Sequence, residues 1–347
     1  MEVSRSRDRV STVDMRAVAE KAGVALSSVS RVLNHHPDVS PDMRRKVTAA
    51  ADMLGYEPDL LAQSLRRGRT KLVGFVVRDI SNPFFADIVR GAEDRLRQDG
   101  YAILLTNSES DPELDAVHIH LLSRRRVDGL MVSVASEAHP ATLRALESAR
   151  SPIVLLDREV PGLTAAAVVC DHASGVQKAV SALFDLGHRR IGMVLGLESL
   201  RPTRDRVAGY LAAHRLAGGS VDAALIRYGS YEEDSAASLT RQLLDLDSPP
   251  SALIVGGAQL LTGVVLTLRD RGVHVGRDLA LVACDQTSWL ELVEPSLAVV
   301  AADPQQVGVA AAELLLEMLQ GAPPRQVVVP TVFIPRGSLV PPLHRQT

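Results

Sequence analysis

The stretch DMRAVAEKAGVALSSVSRVLN, residues 14–34, decides how the N-terminal part of the chain folds. Its first half carries one apolar stripe at the i, i+3, i+4, i+7 spacing, formed by Met15, Val18, Ala19 and Ala22. Asp14 can cap the start of this helix, and Gly23 can end it in a tight turn. The pattern therefore predicts a short amphipathic helix followed at once by a second one.

The second helix is small and polar on most of its surface. Val29, Val32 and Leu33 point to one side, which leaves Ser27, Arg31 and Asn34 on the outer face at i, i+4 and i+7. Two short helices joined by a glycine turn are typical of a helix-turn-helix, whose second helix enters the DNA major groove. An ordinary surface helix in a small bundle has the same spacing, so the pattern alone leaves both alternatives open.

A third helix is predicted from SPDMRRKVTAAADMLGY, with Ser40 as N-cap and Pro41 at the first helical position. The charge of this region differs from that of the rest of the chain. Residues 1–71 hold 13 Lys and Arg against 9 Asp and Glu, a net of +4, while the remainder holds 25 against 32, a net of −7. Only the N-terminal head is therefore expected to meet a polyanion.

From Lys71 onward, short apolar runs alternate with longer amphipathic segments. The predicted strands are LVGFVV, YAILLT, DGLMVSV, PIVLLD, AAVVCD, RIGMVLG, SALIVGG, LALVACD, LAVVAAD and RQVVVPTVFIP. Strands that alternate with helices predict parallel sheets joined by right-handed crossovers. Two such sets predict an α/β core of two lobes, with ligands at the carboxyl ends of the strands.

Several classes of protein are disfavoured. The chain has no GxSxG, HExxH, GxxxxGK[ST] or strand-following GxGxxG pattern, so an enzyme is not expected. Its two cysteines are isolated, and His118 and His120 face different ways on a predicted helix, so neither a metal site nor a cofactor is expected. With no apolar run of membrane-spanning length and a charged start, we expect a cytoplasmic protein without membrane contact.

The order of these motifs resembles the lactose-repressor (LacI/GalR) family of transcription regulators. The likeness is carried by DMRAVAEKAGVALSSVSRVLN and by VSPDMRRKVTAAADMLGYEPDLLAQSLRRGRTKLVGFVVRDISNPFF, and it extends over essentially the whole chain. It implies a helix-turn-helix head, a hinge helix and a periplasmic-binding-protein-like core that dimerises and binds a small effector. The implied partners are double-stranded operator DNA, a sugar or other small metabolite, and a second copy of the chain, or several.

The resemblance implies DNA contacts by Leu26, Ser27, Ser28, Arg31, Asn34 and Leu65. Leu26 cannot hydrogen-bond a base, so it would discriminate through apolar contact such as a thymine methyl. The chain has Ala25 where the family usually has a serine that caps the recognition helix, a loss of about 1 kcal/mol. Leu65 is implied to wedge into the minor groove, although packing between two hinge helices is the alternative.

The hinge sequence PDLLAQSLRR is about nine residues of helix with no partner in its own subunit, and a helix this short is marginal in water. Pairing with its two-fold mate on DNA could order it. If the core subunits set the separation of the hinge ends, a ligand that alters lobe closure would alter DNA affinity. We expect this coupling, with a sign that the sequence does not give.

RDISNPFF, at residues 78–85, follows the first core strand at a sheet edge. Asp79 and Asn82 offer hydrogen bonds to a ligand and Phe84 offers a stacking wall. A helix start, with Ser81 or Asn82 as cap and both phenylalanines in the core, explains the same residues.

By position within the family, Asp157, Arg206 and Asp285 are implied effector contacts, and Tyr231 is a candidate aromatic wall. An arginine between two acids suits bidentate bonds to sugar hydroxyls or to a charged small molecule. Solvated charges at strand and helix ends are the alternative for each residue alone. Two departures disfavour a simple sugar: Gly257 and Ala258 replace a common Asn-Asp, and Ala302 replaces a common Gln. We therefore expect a changed ligand; a pocket that has lost its ligand is the alternative.

The expected organisation is a helix-turn-helix head over residues 1–57, a hinge over 58–70 and a core over 71–347. Within the core, lobe 1 is expected over about 71–165 and 298–330, and lobe 2 over about 166–297 and 331–340. The predicted function is sequence-specific transcriptional regulation. The chain is expected to act as a repressor that binds a palindromic operator as a dimer under the control of a small-molecule effector. A solute-binding protein would share the core but lack the head.

Overall fold

The computed structural model describes residues 14–33, 36–56 and 69–343. The chain divides between Thr70 and Lys71 into two compact units. No helix within the described ranges is both long and apolar enough to cross a membrane.

The described residues of the first unit form three helices: α1 Met15–Ala22, α2 Leu26–Leu33 and α3 Pro41–Leu54. Asp14 accepts a hydrogen bond from the amide of Ala17 and caps α1, and Gly23 ends it in the left-handed conformation. Ser40 caps α3 in the same way, through the amide of Met43. The predicted caps of both helices are therefore confirmed. Three helices bury only a small core, formed by Val18, Ala19, Val29, Val32, Val47, Ala50 and Ala51.

Over residues 71–343 the second unit contains twelve strands: β1 Leu72–Val77, β2 Ala102–Asn107, β3 Gly129–Val132, β4 Ile153–Leu156, β5 Ala166–Cys170, β6 Ile191–Leu195, β7 Ile226–Tyr228, β8 Ala252–Val255, β9 Ala280–Cys284, β10 Ala298–Ala302, β11 Gln326–Val329 and β12 Thr331–Ile334. They form two six-stranded sheets, in the order β11-β5-β4-β3-β1-β2 and β12-β10-β9-β8-β6-β7. The central strands are buried on both faces, as parallel strands covered by helices must be.

Helices separate the strands: α4 Pro83–Gln98, α5 Pro112–Arg124, α6 Pro140–Ser148, α7 His172–Asp185, α8 Arg201–Leu216, α9 Glu233–Leu244, α10 Ala258–Asp270 and α11 Pro304–Leu319. Helices α4 and α11 pack closely against each other. A Cβ on Gly308 would lie 2.0 Å from the carbonyl oxygen of Ile88, and one on Gly91 would lie 2.3 Å from that of Gln305. Only glycine at both positions lets the C-terminal helix pack this tightly on the first lobe.

The lobe boundaries differ from those expected from the sequence. Residues 166–170 were expected in lobe 2 but form a strand of the first sheet, and residues 298–302 were expected in lobe 1 but form a strand of the second. The stretch 325–335 is two strands, not one. Pro330 separates β11 from β12, since a proline cannot donate to the ladder, and the chain changes sheet there. β12 pairs antiparallel with β10, the one exception to the expected parallel arrangement in the described strands.

The chain thus passes between the lobes three times, and the crossings lie side by side. The amide of Asp171 donates to the carbonyl of Val329 at 2.9 Å, and the hydroxyl of Thr331 donates to the carbonyl of Asp171 at 2.6 Å. Thr331 also pairs with Ala302 across β12 and β10. The carboxyl ends of the strands of both sheets therefore lie close together, on either side of a cleft.

Candidate functional site

The outer face of α2 is the candidate DNA-binding surface. Val29 and Val32 are buried against α1 and α3, so the opposite side of the helix is left open. Leu26 is 44% exposed, Ser27 is exposed and Ser28 is half-buried. Arg31 is exposed and reaches Asp38 at 3.6 Å, a contact between two solvated side chains. This face presents an apolar side chain, hydroxyls and a guanidinium within two helical turns.

Two of the expected DNA-contacting residues, Asn34 and Leu65, lie outside the described residues, so their roles rest on the family resemblance. Ala25 directly precedes α2 and is exposed. Its carbonyl oxygen accepts from the amide of Ser28 at 2.9 Å, but its methyl side chain offers no acceptor to the other free amides of the first turn.

The second candidate site is the cleft between the two lobes of the core. Its inner part has a free volume of about 40 Å³, enough for about three water molecules, and is lined from both lobes. An outer part of about 400 Å³ adjoins it and shares Arg78, Tyr231 and Gln259 with it. Six of the residues expected from the sequence line the inner part: Asn82, Phe84, Asp157, Arg206, Tyr231 and Asp285. Tyr231 lines both parts and Asp79 only the outer one.

Asp157 is the centre of a buried ion-pair network. It adopts a positive φ of 53° at the end of β4. One carboxylate oxygen accepts from the Cys170 amide and from Arg201, both at 3.1 Å, and the other lies 2.8 Å from His172 Nε2. Burial acts to raise the pKa of Asp157, but the interaction and hydrogen bond with His172 and the charge of Arg158 outweigh it and hold the pKa well below its usual value. Asp157 is therefore ionised and already bonded within the protein.

Asp285 occupies the equivalent place in the second lobe, at the end of β9, with a φ of 74°. Its carboxylate accepts from Arg206 Nη2 at 3.4 Å, while Arg206 Nη1 donates to the carbonyl of Gly256 at 2.9 Å. Burial acts to lower the pKa of Arg206, but Asp285 outweighs it and raises the pKa. Arg206 Nε is buried and has no hydrogen-bond partner, so this group keeps a donor for a ligand.

Asn82 serves as a helix cap. Its side chain accepts from the amide of Phe84 at 3.0 Å, Pro83 begins α4, and Phe84 and Phe85 are buried in the core of the first lobe. The helix-start alternative is thus confirmed. Asn82 and Phe84 still face the inner cleft, so the two interpretations of these residues are compatible.

Asp79 is also engaged within the protein. One of its oxygens accepts from the hydroxyl and amide of Ser81, at 2.7 and 2.9 Å, and the other accepts from the side-chain amide of Gln259. Gln259 belongs to α10 of the second lobe, so this hydrogen bond joins the two lobes in the outer part of the cleft.

The cleft also contains residues that the sequence did not indicate. Arg78, which follows β1, is 5% exposed, and its guanidinium lies 4.0 Å from the centre of the Tyr231 ring. Arg158 is 3% exposed and donates to the carbonyls of Val134 and Asp157, both at 2.7 Å. Arg78 is covered by Tyr231 and Gln259 of the opposite lobe, whereas Arg158 is bonded to carbonyls of its own lobe.

Glu137 forms a second set of contacts between the two lobes. It is 7% exposed in the first lobe and accepts from the backbone amide of Arg201 at 3.1 Å, at the start of α8 in the second. The same carboxylate accepts from Arg204 at 2.9 Å. α8 has no side-chain cap of its own, so a carboxylate from the other lobe supplies the negative charge its N-terminus favours.

Asp157, Cys170 and His172 lie close enough to face one metal ion. Their present contacts favour a protein-only network. Asp157 binds Arg201 and His172, and burial raises the pKa of the Cys170 thiol, which keeps it protonated. A thiol binds metal only as its thiolate.

Known protein families match both the N-terminal head and the two-lobed core of this chain. Residues 14–59 match the family of bacterial regulatory proteins, lacI family, and residues 180–339 match the periplasmic binding protein-like domain. The chain is 33% identical over 313 residues to catabolite control protein A of Priestia megaterium, covering 87% of this chain and 91% of that protein. It is 32% identical over 342 residues to the transcriptional regulator PtxS of Pseudomonas aeruginosa, covering 97% of each.

Among solved structures, the lac repressor dimer bound to operator and the anti-inducer ONPF superposes with a TM-score of 0.82. The sequence identity is 26%, over 94% of this chain and 99% of that one. Head and core together define a transcription regulator with a ligand-binding domain. The chain belongs to the LacI family, whose members bind operator DNA as dimers and respond to small-molecule effectors.

Proposed function

We propose that this chain is a transcriptional repressor that binds a palindromic operator as a dimer, inserts α2 into the major groove, and is controlled by a small molecule in the interlobe cleft. The main support for this proposal is that α2 has a buried apolar stripe on one side and an exposed face with Leu26, Ser27 and Arg31 on the other. Such a helix is held rigidly by its own core while hydroxyl, apolar and cationic groups reach base edges and phosphates.

A dimer is supported by the surface of α5. Val117 and Leu121 are 57% and 44% exposed and stand one helical turn apart, so they form an apolar strip on the first lobe. A second copy of the chain would cover this strip. Leu121→Glu should therefore yield monomers in sedimentation, whereas Leu216→Glu, at a 74% exposed position on the second lobe, should not.

Control by a small molecule is supported by the way the lobes are joined. Arg78, Glu137 and Gln259 each bind a residue of the opposite lobe, so a ligand that enters the cleft must replace or rearrange such contacts. Its binding free energy is thereby coupled to the angle between the lobes.

Selection from a random library of 30-base-pair duplexes tests the proposal. The full-length protein should enrich a two-fold symmetric sequence and bind it at least about a thousandfold more tightly than random competitor. Residues 71–347, a compact unit of their own, should enrich nothing. Enrichment of no sequence by the full-length protein at low salt would contradict the proposal. A core that binds small molecules in a protein without DNA preference would favour a solute-binding role.

A further inference from the structure

Arg78 is a buried cation that forms no salt bridge with any residue that the structure describes. Its side chain is buried, yet Nε and Nη1 have no hydrogen-bond partner, and Nη2 has only the side-chain oxygen of Gln259 at 3.3 Å. Within the described ranges, no carboxylate lies within ion-pairing distance of Arg78. Burial lowers the pKa of Arg78, and the opposing interactions with Tyr231 and Asp79 offset this only in part. A buried unpaired guanidinium is costly, and such groups are normally matched by an anion.

Two other charged residues of the inner cleft, Arg206 and Asp157, have partners of opposite charge or hydrogen-bond partners within the protein. Arg206 is matched by Asp285, and Asp157 is matched by Arg201 and His172. Arg158 donates only to backbone carbonyls in the hydrogen bonds described above, and no carboxylate of the described chain pairs with it. Arg78 and Arg158 are thus the two guanidinium groups at the carboxyl edge of the first sheet that form no salt bridge with the described residues, although the charge of Arg158 also acts on the adjacent Asp157.

Neutral donors face the same space. Ser133 follows β3, beside the strand that Arg78 follows, and its hydroxyl is fully buried without a partner. Arg206 Nε is a further unpaired donor in the lining. Guanidinium groups from one lobe, a guanidinium from the other and a hydroxyl surround a volume of about 40 Å³, which suits a carboxylate or phosphate group better than a whole sugar ring.

The outer cleft has the opposite character. Asp79, Glu109 and Glu232 line it, together with the half-buried Tyr231 ring. Carboxylates repel an anion but accept hydrogen bonds from hydroxyl groups. The volume of about 400 Å³ is in the range of small-molecule sites.

From this arrangement, and building on the proposed function, we infer that the effector is a polyhydroxylated metabolite with an oxyanion group, which Arg78, Arg158 and Ser133 bind in the inner cleft while its hydroxyls face the acidic mouth. Neutral sugars lack the group that the inner cleft is built to hold. Carboxylate and phosphate share this chemistry, and the experiment separates them.

The test measures the melting temperature of the full-length protein at constant ionic strength with glucose, glucuronate, glucose 6-phosphate, inorganic phosphate or sodium chloride. Glucuronate, glucose 6-phosphate or both should raise the melting temperature by at least about 3 °C at saturation, and glucose should not. A response to glucuronate but to neither phosphate identifies a carboxylate, and a response to glucose 6-phosphate that exceeds the response to inorganic phosphate identifies a phosphate ester.

Variants locate the effect. Arg78→Gln should lose the shift, Arg78→Lys should keep part of it, and Arg271→Gln, which removes an exposed arginine paired with Asp245, should keep all of it. The inference is overturned if none of the three anions shifts melting more than glucose does, or if the Arg78→Gln shift equals the wild-type shift. Operator selection with the same protein separates the two proposals. Selection that succeeds without an anion response overturns this inference only, and selection that fails overturns the proposed function.

Discussion

The guanidinium of Arg78 stacks on the Tyr231 ring at 4.0 Å, and this contact joins the two lobes across the cleft. Arg78 follows β1 of the first sheet, whereas Tyr231 precedes α9 of the second lobe. A buried cation–π pair is worth about 1–2 kcal/mol. The lobes therefore cannot separate without loss of this contact, and whatever binds Arg78 also affects lobe closure.

Replacement of Gly196 should displace the Tyr231 ring. A Cβ at this position would lie 2.1 Å from the ring, whose place against β6 depends on the glycine. We expect Gly196→Ala to lower the free energy of unfolding by about 1–3 kcal/mol, measured in urea. Gly219→Ala is the control, because its Cβ would meet nothing closer than 3.8 Å. Equal stability of the two variants would show that Tyr231 is not held in this position.

Loss of the Glu137 carboxylate should loosen the lobes. Glu137→Gln removes the charge that caps α8 and binds Arg204, so unfolding should become easier by about 1–3 kcal/mol. Hydrogen exchange of the Arg201 amide should become faster, because this amide donates the hydrogen bond to Glu137 that the substitution weakens. Glu317→Gln, which breaks an exposed pair with Arg325, should cost at most about 1 kcal/mol and leave Arg201 unchanged.

Asp157 should make the core sensitive to acid. Because its folded pKa lies below the unfolded value of 3.8, its stabilising contribution is present above about pH 4–5 and is lost as the pH falls toward the folded pKa. Asp157→Asn should lower the unfolding free energy at pH 7 by about 3–5 kcal/mol and flatten the decline of melting temperature below pH 5. An acid decline as steep as that of the wild type would assign this sensitivity to other carboxyl groups.

A serine at position 25 should stabilise α2. Ala25→Ser supplies a side-chain acceptor to the first-turn amides, worth about 1 kcal/mol. Amide exchange of α2 in the full-length protein should slow by about fivefold. Ala49→Ser, in the exposed middle of α3, adds the same hydroxyl where no cap is needed and should slow nothing. Unchanged exchange in Ala25→Ser would mean that other groups already satisfy the α2 amides.

Leu26 and Arg31 should have separable roles on the operator. Leu26→Ala should relax the preference at one base pair, where a mismatch typically costs about 1–3 kcal/mol in a specific site. If Arg31 binds phosphate, Arg31→Met should weaken binding to all sequences and reduce the salt slope by about one. Arg269→Met, an equal charge change on the exposed core surface, should affect neither quantity. Loss of preference at one base pair in Arg31→Met would instead assign Arg31 to base recognition.

Local signals predicted much of the fold. The caps at Asp14 and Ser40 and the strand over 72–77 depend on neighbouring residues, and all three lie where the sequence places them. The sheet to which a strand belongs is not a local property. Residues 166–170 and 298–302 have the apolar sequence of a buried strand, and this sequence would suit a strand of either sheet. Their own residues therefore could not show to which lobe each strand belongs.

The cleft shows the same limit. Position within the family pattern brought Asp157, Arg206 and Asp285 to one place, but it could not show that Asp157 is occupied by His172 and Arg201. Arg78 was missed because the contact that distinguishes it from a solvated arginine is made with Gln259, 181 positions away.

The three adjacent crossings between the lobes have a mechanical consequence. The backbone of Asp171 is bonded to both Val329 and Thr331, and Thr331 is paired with Ala302, so the crossing segments form one narrow joint. Two rigid bodies joined along one side can tilt but cannot glide past each other. A ligand that binds in the cleft opposite this joint should therefore change the angle between the two lobes. The displacement should be largest at the edges of the lobes that lie farthest from Asp171.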